Sequence, residues 1–422
     1  MKTNILLALS EKSFAFLWLG EIATQLASNA FYFLLIFIVY QHTHSNTAVS
    51  GIVITFTIPA ILFGSIAGAY VDHWDKKKVL IVTNVVRALC LILLAFSIKN
   101  LILLYLITLI FAIMTQFFIP AENPMVPLVV KEKHLLSANA LFGMGIYGSI
   151  VVAYLLAGPL LIFLKPIKTL LFLSVLLILG AVFIGFVKTR IAIPVKENIA
   201  LPKPNIFKDI KQALSFMSQT RTVSRSLFAL GLSQMLILII VTIAPGYANQ
   251  ILGINIESFL LLFAPPAALG MVFGAAFLVN KLHNYSKQRL ITAGILISGI
   301  SLMALPYGSK VTSRAFVHTL NFYLPSFLQI DIVNIMIVLV FILGIANSLI
   351  FAPANTIIHE HTSDNFRGKI YGFLNTLVGL LSLLPILIVG GLADLVGVGV
   401  VLLVLGTGLL VLGGTLAFLD RK

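Results

Sequence analysis

The amino-acid sequence predicts an all-α polytopic membrane protein. Of its 422 residues, 59% are hydrophobic and only 10% are charged, and the mean hydropathy is +1.08. Because an ordinary soluble domain carries about 25% charged residues, this chain is too apolar to cover a water-facing surface. Its apolar residues occur in long unbroken runs of the length that a bilayer-spanning helix needs, about 20 residues. The ten-residue alternation typical of membrane barrels is not the dominant pattern.

Twelve such runs follow one another along the chain. They cover about residues 14–40, 49–71, 79–98, 101–128, 137–164, 168–187, 223–250, 258–279, 289–306, 332–353, 369–391 and 396–418. Inside a bilayer every backbone N–H and C=O must be paired within the segment, so we predict a helix for each run.

The longest polar interval between runs, residues 188–222, divides them into six and six. We therefore predict an N-terminal six-helix bundle over 1–187 and a C-terminal six-helix bundle over 223–422. The interval itself is predicted to be a cytoplasmic linker. Residues 206–217 within it have apolar side chains at helical spacing beside lysines, which is typical of an amphipathic helix on a membrane surface.

The charge distribution predicts the orientation. Lysine and arginine number 28 against 14 acidic residues, which gives a formal net charge of +14. In a soluble protein this charge would suggest nucleic-acid binding, but here the basic residues are concentrated in alternate loops, as the positive-inside rule describes. We expect both termini in the cytoplasm, a multi-pass protein in the plasma (inner) membrane, and no nucleic-acid partner.

The two halves contain similar motifs. The fourth run includes F-I-P-A-E-N-P-M at 118–125, and the tenth includes F-A-P-A-N-T-I-I at 351–358. G-S-I-A-G at 64–68 in the second run is matched by G-M-V-F-G at 270–274 in the eighth. Two six-helix repeats in the same direction, with a site between them near the midplane, describe one large class of secondary transporter.

Several motifs make the chain similar to a known family. They are Gly68-x-x-x-Asp72-x-x-Asp75 followed by three lysines after the second run, Arg87 in the third, and Pro120-Ala in the fourth. Pro353-Ala in the tenth, Phe366-Arg-Gly-Lys before the eleventh and Gly391-Leu-Ala-Asp394 at its end complete the set. The chain thus resembles a major facilitator superfamily transporter over essentially its whole length. Within that family it resembles the drug:proton antiporter branch with macrolide-efflux and enterobactin-exporter types. The resemblance implies twelve transmembrane helices in two pseudo-symmetric six-helix bundles.

The same resemblance implies a conformational gate at the loop after the second run. In the family, Asp72 would contact the cytoplasmic N-terminus of the eleventh helix, whose unpaired N–H groups carry partial positive charge. The gate residues are Gly64, Gly68, Asp72, Asp75, Lys76, Lys77 and Gly368. A basic loop that only fixes topology is the alternative. Gly158-Pro159 in the fifth run resembles the antiporter motif of export-type members, without the glycines that usually follow it.

Three charged residues lie inside apolar runs: Glu21, Arg87 and Glu122. Each costs at least about 2.5–3.5 kcal/mol on insertion scales, so such residues usually face a cavity and have partners. We hypothesise that Arg87 keeps one carboxylate ionised while the other binds the coupling proton, with Glu21 the first candidate and Glu122 the second. The alternative is a static ion pair between Arg87 and Glu122.

Polar residues on the first helix predict a substrate cavity. Gln25 and Asn29 follow Glu21 at i+4 and i+8 and therefore share one face. Lining a cavity is the favoured interpretation of this stripe, and hydrogen bonding between helices is the alternative. Further candidates for the cavity are Gln116, Gln234 and Asn347.

The sequence favours a carrier over an enzyme, because it lacks the phosphate-binding motif of an ATPase. We expect a monomeric, proton-coupled exporter of amphiphilic small molecules such as drugs or a siderophore, working by alternating access. No cofactor and no metal are expected. An importer or a lysophospholipid carrier on the same fold is the alternative, and a transport-inactive scaffold is a third interpretation.

Overall fold

A computed structural model describes residues 5–189, 221–282, 285–309, 318–319, 321–322, 331–361 and 364–419, and the side chains of 361–378 are not part of this description. Nearly all the described residues are helical. The helices are α1 (Lys12–Thr43), α2 (Asn46–Val71), α3 (Lys76–Ser97), α4 (Leu101–Val129), α5 (Leu135–Gly185), α6 (Arg221–Gly246), α7 (Ile256–Lys281), α8 (Lys287–Ala304), α9 (Ile332–His361), α10 (Asp364–Val396) and α11 (Val398–Leu419). Short helical turns cover Ile5–Ser10, Glu132–His134, Tyr247–Leu252 and Leu305–Ser309.

The described helices match all twelve predicted runs. Ten helical segments among the described residues are long and apolar enough to cross a membrane. One of them contains α5, which holds the fifth and sixth runs because the chain turns at Lys165 (φ 60°, ψ 164°), directly before Pro166. The eleventh run corresponds to α10, whose side chains are described only in part. The predicted fold class, an all-α polytopic membrane protein, is confirmed.

The chain divides into two compact units. Unit 1 consists of Met1–Ile38 and Ile54–Phe207, and unit 2 consists of Val39–Val53 and Lys208–Lys422. The end of α1, the following turn and the start of α2 therefore pack as part of unit 2. The predicted linker, 188–222, lies almost entirely outside the described residues, and its role stays a prediction.

The interior of unit 1 near the amino-terminal ends of α1 and α3 is apolar. Large buried side chains from four helices meet there: Phe14 and Leu17 of α1, Leu80 of α3, Phe118 and Met125 of α4, and Ile184 of α5. In a bilayer such side chains hold helices together mainly by close van der Waals packing, since lipid tails are as apolar as the side chains themselves. The packing holds α1, α3, α4 and α5 side by side and so fixes the polar face of α1 against its neighbours.

Candidate functional site

The site in unit 1 is organised around the polar face of α1. Five polar side chains recur at spacings of three or four residues, which places them on one side of the helix: Glu21, Thr24, Gln25, Ser28 and Asn29. Glu21, Thr24 and Ser28 are buried, and Gln25 and Asn29 are half-buried. The face therefore runs from a dry end at Glu21 to a more open end at Asn29.

Glu21 and Glu122 form a buried carboxyl pair. Glu122, on α4, is 5% exposed and Glu21 is 1% exposed, and one amide nitrogen, Gln25 Nε2, donates to a carboxyl oxygen of each. Two ionised carboxylates that share one donor in a buried site repel each other, which favours a proton on one of the two groups.

Gln25 connects both members of the carboxyl pair. Its Nε2 atom donates to Glu21 Oε1 at 2.7 Å and to Glu122 Oε2 at 3.3 Å. Asn29 Nδ2 donates in turn to the Gln25 backbone oxygen at 2.7 Å and to Gln25 Oε1 at 3.3 Å. Asn29 thus orients the Gln25 amide so that its nitrogen faces the carboxyls, and it links the buried pair to the more open end of the face.

Arg87 lies on α3 and is held by neutral groups. Its guanidinium donates to Ser28 Oγ at 3.1 Å, to Asn84 Oδ1 and to the Thr83 backbone oxygen. The same group lies over the Phe118 ring, with 4.3 Å between Cζ and the ring centroid. Buried polar groups are usually hydrogen-bonded in this way, and a cation over the face of an aromatic ring is stabilised further.

Arg87 does not form a direct ion pair with either carboxyl among the described residues. The static Arg87–Glu122 pair considered from the sequence is therefore not formed. The positive charge of Arg87 still acts on both carboxyls across the site. With one proton on the pair, Glu21, Glu122 and Arg87 together carry no net charge, which lowers the cost of burying them.

Sequence reasoning missed Asn84, which holds the Arg87 guanidinium in place and connects it to α1. Asn84 is fully buried, accepts from Arg87, and donates from Nδ2 to Thr24 Oγ1 at 2.9 Å. Its position three residues before Arg87, on the same helix face, was the available signal. The close approach of α5 also depends on Gly180, where a Cβ would come within 2.6 Å of Thr24 Oγ1.

Aromatic side chains continue the site beyond Asn29. Tyr32 donates from its hydroxyl to Thr115 Oγ1 of α4 at 3.1 Å. Its ring packs edge-on against Phe56 of α2 and Phe111 of α4, at centroid distances of 4.5 and 5.5 Å. Gln116, next to Thr115, is half-buried. Unit 1 thus presents amide groups and aromatic rings along one continuous side of α1.

The candidates in unit 2 are neutral. Asn347 of α9 donates from Nδ2 to Ser233 Oγ of α6 at 2.8 Å, so it joins two helices. Gln234, the residue after Ser233, is half-buried on α6. The structure gives Asn347 a packing contact, and its predicted role in a cavity stays a prediction, as does that of Gln234.

The loop after α2 is held within unit 1. Asp75 caps α3 by accepting from the Lys78 backbone N–H, and Lys76 Nζ donates to the Asp72 backbone oxygen at 3.3 Å. Lys77 Nζ donates to the backbone oxygens of Gly185 and Val187, each at 2.8 Å, at the end of α5. These contacts bind the loop to its own unit.

The other predicted gate residues are in open or undescribed surroundings. A Cβ added at Gly64 or Gly68 would meet no heavy atom within 4 Å among the described residues. The Asp72 side chain is exposed. Gly368 belongs to the part of α10 whose side chains lie outside the description. Gly158 and Pro159 lie in the part of α5 that precedes the turn at Lys165.

Within the described residues no group of three or more His, Cys, Asp or Glu side chains is arranged to hold a metal ion. Glu360 of α9, which the sequence places between two histidines, is paired with Lys287 at the start of α8. The structure therefore gives Glu360 a role in joining helix ends.

Comparison with known proteins agrees with this architecture. The chain is 24% identical over 407 residues to the MFS-type transporter YfiS of Bacillus subtilis, with 91% of this chain and 87% of the relative covered. It is 23% identical over 405 residues to macrolide efflux protein A of Streptococcus pyogenes, with coverage of 93% and 92%.

Solved transporters share the fold. The nucleoside transporter NupG superposes with a TM-score of 0.69 at 12% identity, covering 97% of this chain and 99% of that one. The peptide transporter PepTSo of the POT family gives 0.71 at 12% identity, with 97% and 98% covered. The family model of the Major Facilitator Superfamily matches residues 17–328. The chain belongs to the Major Facilitator Superfamily, and it is a multi-pass membrane transporter of small molecules.

Proposed function

We propose that this transporter is a proton-coupled exporter of amphiphilic small molecules that works by alternating access. The observation that carries the proposal is the buried carboxyl pair Glu21–Glu122, bridged by Gln25 and faced by the charge of Arg87. Titratable groups inside a membrane domain are costly and are usually part of an ion or proton pathway. The macrolide efflux relative supports export of amphiphilic molecules.

The paired arrangement favours exchange of a proton for a cation. With one shared proton, the two carboxyls and Arg87 carry no net charge, and loss of that proton leaves one negative charge in a dry interior. Burial of an uncompensated charge is strongly unfavourable. Release of the proton is therefore favoured when water or a positively charged group of the substrate reaches the pair. In this mechanism Glu21 and Glu122 act as one site, and Arg87 limits the pair to about one proton.

The rest of the α1 face suits an amphiphilic molecule. Gln25 and Asn29 offer amide donors and acceptors near the carboxyl pair, and Tyr32 with Phe56 offers aromatic surface further along. Binding sites for small molecules usually combine much apolar surface with a few polar groups in this way.

Transport by purified protein in proteoliposomes tests the proposal. We expect an imposed proton gradient to drive accumulation of a radiolabelled macrolide. Glu21→Gln and Glu122→Gln should each lower this accumulation by about tenfold or more, the size usual for loss of a positioned proton-transfer group. The exposed Glu132, changed to Gln, serves as the matched control and should leave transport unaltered.

Gradient-driven transport that survives in the Glu21→Gln/Glu122→Gln double variant would rule out the carboxyl pair as the coupling site. Movement of a fluorescent lysophospholipid without any macrolide flux would favour the lipid-carrier alternative. Accumulation only in the import direction would overturn the assignment as an exporter.

A further inference from the structure

A carboxylate of unit 2 caps the start of α2. Asp394 lies in the last turn of α10, 348 residues from Asn46 in the sequence. It accepts hydrogen bonds from the Ser45 hydroxyl at 2.7 Å, the Asn46 backbone N–H at 2.8 Å, the Asn46 side-chain amide at 2.9 Å, the Thr47 backbone N–H at 2.9 Å and the Thr47 hydroxyl at 2.7 Å. All the participating residues belong to unit 2.

The chemistry of the contact is that of a helix N-terminus neutralised by an anion. The first backbone N–H groups of a helix lack partners inside the helix, and they carry partial positive charge. Short polar residues next to the helix usually satisfy them. Here Asp394 does so from a distant helix, and hydrogen bonds to an ionised acceptor are about twice as strong as neutral ones.

Two glycines allow α2 to approach closely enough for this contact. A Cβ at Gly390 of α10 would overlap Ser50, and a Cβ at Gly246 of α6 would overlap Asn46. Ser50 Oγ donates to the Ile386 backbone oxygen of α10 at 2.8 Å, and Asn46 is fully buried. The cap is therefore one of several close contacts that the start of α2 makes with α6 and α10.

The residues of α2 belong partly to unit 2 and partly to unit 1. Residues up to Val53 pack in unit 2, whereas the helix from Ile54 to Val71 packs in unit 1. Alternating access in transporters of this kind requires one bundle to rock against the other. Such a motion must either separate the first turn of α2 from α10 or bend α2, which contains Pro59.

We propose that Asp394 and the first turn of α2, residues 45–47, form a latch that opens when the carrier changes state. It lies at the membrane face opposite the start of α1. Asp394 is largely exposed, so water can take over its hydrogen bonds once the latch opens. A contact whose partners are solvated when apart has a modest net free energy, as a reversible switch requires.

The distance between spin labels on the two units tests the latch without any substrate. Cys90, the single cysteine, is changed to Ala, and labels are attached at Lys168→Cys in unit 1 and Asn255→Cys in unit 2. Both positions are exposed, Lys168 just after the turn at Lys165 within α5 and Asn255 directly before α7. The predicted topology places both on the membrane face at which α2 begins. Asp394→Asn is expected to raise the population with a long distance between the labels, relative to the population with a short distance, about tenfold. This is the effect of losing charge-assisted hydrogen bonds.

A milder variant and a matched control complete the experiment. Ser45→Ala with Thr47→Val removes two hydroxyl donors and should shift the ratio in the same direction by about half of that effect on a logarithmic scale. Asp331→Asn, an exposed carboxylate just before α9, should leave it unchanged. Equal distance distributions in wild type and both latch variants would overturn the proposal, because the cap would then be a static contact. A shift of the same size with Asp331→Asn would also overturn it.

Discussion

At the scale of single residues, the charged groups of the site are controlled by neutral neighbours. Gln25 donates to both carboxyls, and Asn84 and Ser28 accept from Arg87. Removing such a neighbour leaves a buried group without its hydrogen bond, which costs more than the bond itself contributed. The amide side chains are therefore as important to the site as the ionisable ones.

Gln25→Leu is expected to lower the free energy of unfolding by about 1–3 kcal/mol, because Glu21 and Glu122 lose their shared donor. Gln116→Leu on α4 is the matched control, since Gln116 is half-buried like Gln25. It should change the unfolding free energy by less than about 0.5 kcal/mol, as most substitutions away from such networks do. Chemical denaturation in detergent measures both variants, and an equal loss would contradict the bridging role.

At the scale of helices, Lys77 joins the start of α3 to the end of α5. Its ammonium group meets two backbone oxygens that no further turn of α5 can satisfy. A cation at a helix C-terminus also interacts favourably with the helix dipole. The lysine therefore stabilises unit 1, which is a local effect separate from any gate between units.

Lys77→Met keeps the length of the side chain and removes its charge. We expect it to reduce stability by about 1 kcal/mol and to speed amide hydrogen exchange at the end of α5. Lys78→Met, at the exposed neighbouring position, is the control and should leave exchange at Gly185 and Val187 unchanged. Faster exchange in both variants would indicate a general charge effect.

The sequence predicted the helices well and their contacts poorly. Apolar run length identifies a spanning helix directly, since the bilayer demands it. It also pointed to Glu21, Arg87 and Glu122, because charges in such runs are exceptional. It could not show that Arg87 avoids both carboxyls, since residues on three different helices come together only through packing.

At the scale of the whole molecule, the charge bias of the loops predicts the topology. Twelve spans return the chain to the side on which it began, and the basic loops favour the cytoplasm for that side. This reasoning depends on membrane insertion and is independent of the packing within either unit.

Both termini are therefore expected to be labelled from the same side. Cysteines introduced at Lys2 and Lys422, in a Cys90→Ala background, should react with a membrane-impermeant maleimide in inverted vesicles but not in intact cells. A cysteine at Lys168, between the fifth and sixth spans, should show the opposite pattern. Labelling of the two termini from different sides would require an odd number of spans.

By itself the sequence established a membrane-spanning helical transporter with two similar halves and a few intramembrane charges. These properties depend on the run length and charge pattern that the bilayer imposes on any chain. Only the tertiary structure decided that Glu21 and Glu122 share one site, that Lys77 caps α5 and that Asp394 caps α2. Each of those contacts joins helices distant in sequence, and side-chain packing, which leaves no periodic signal, selects the partners.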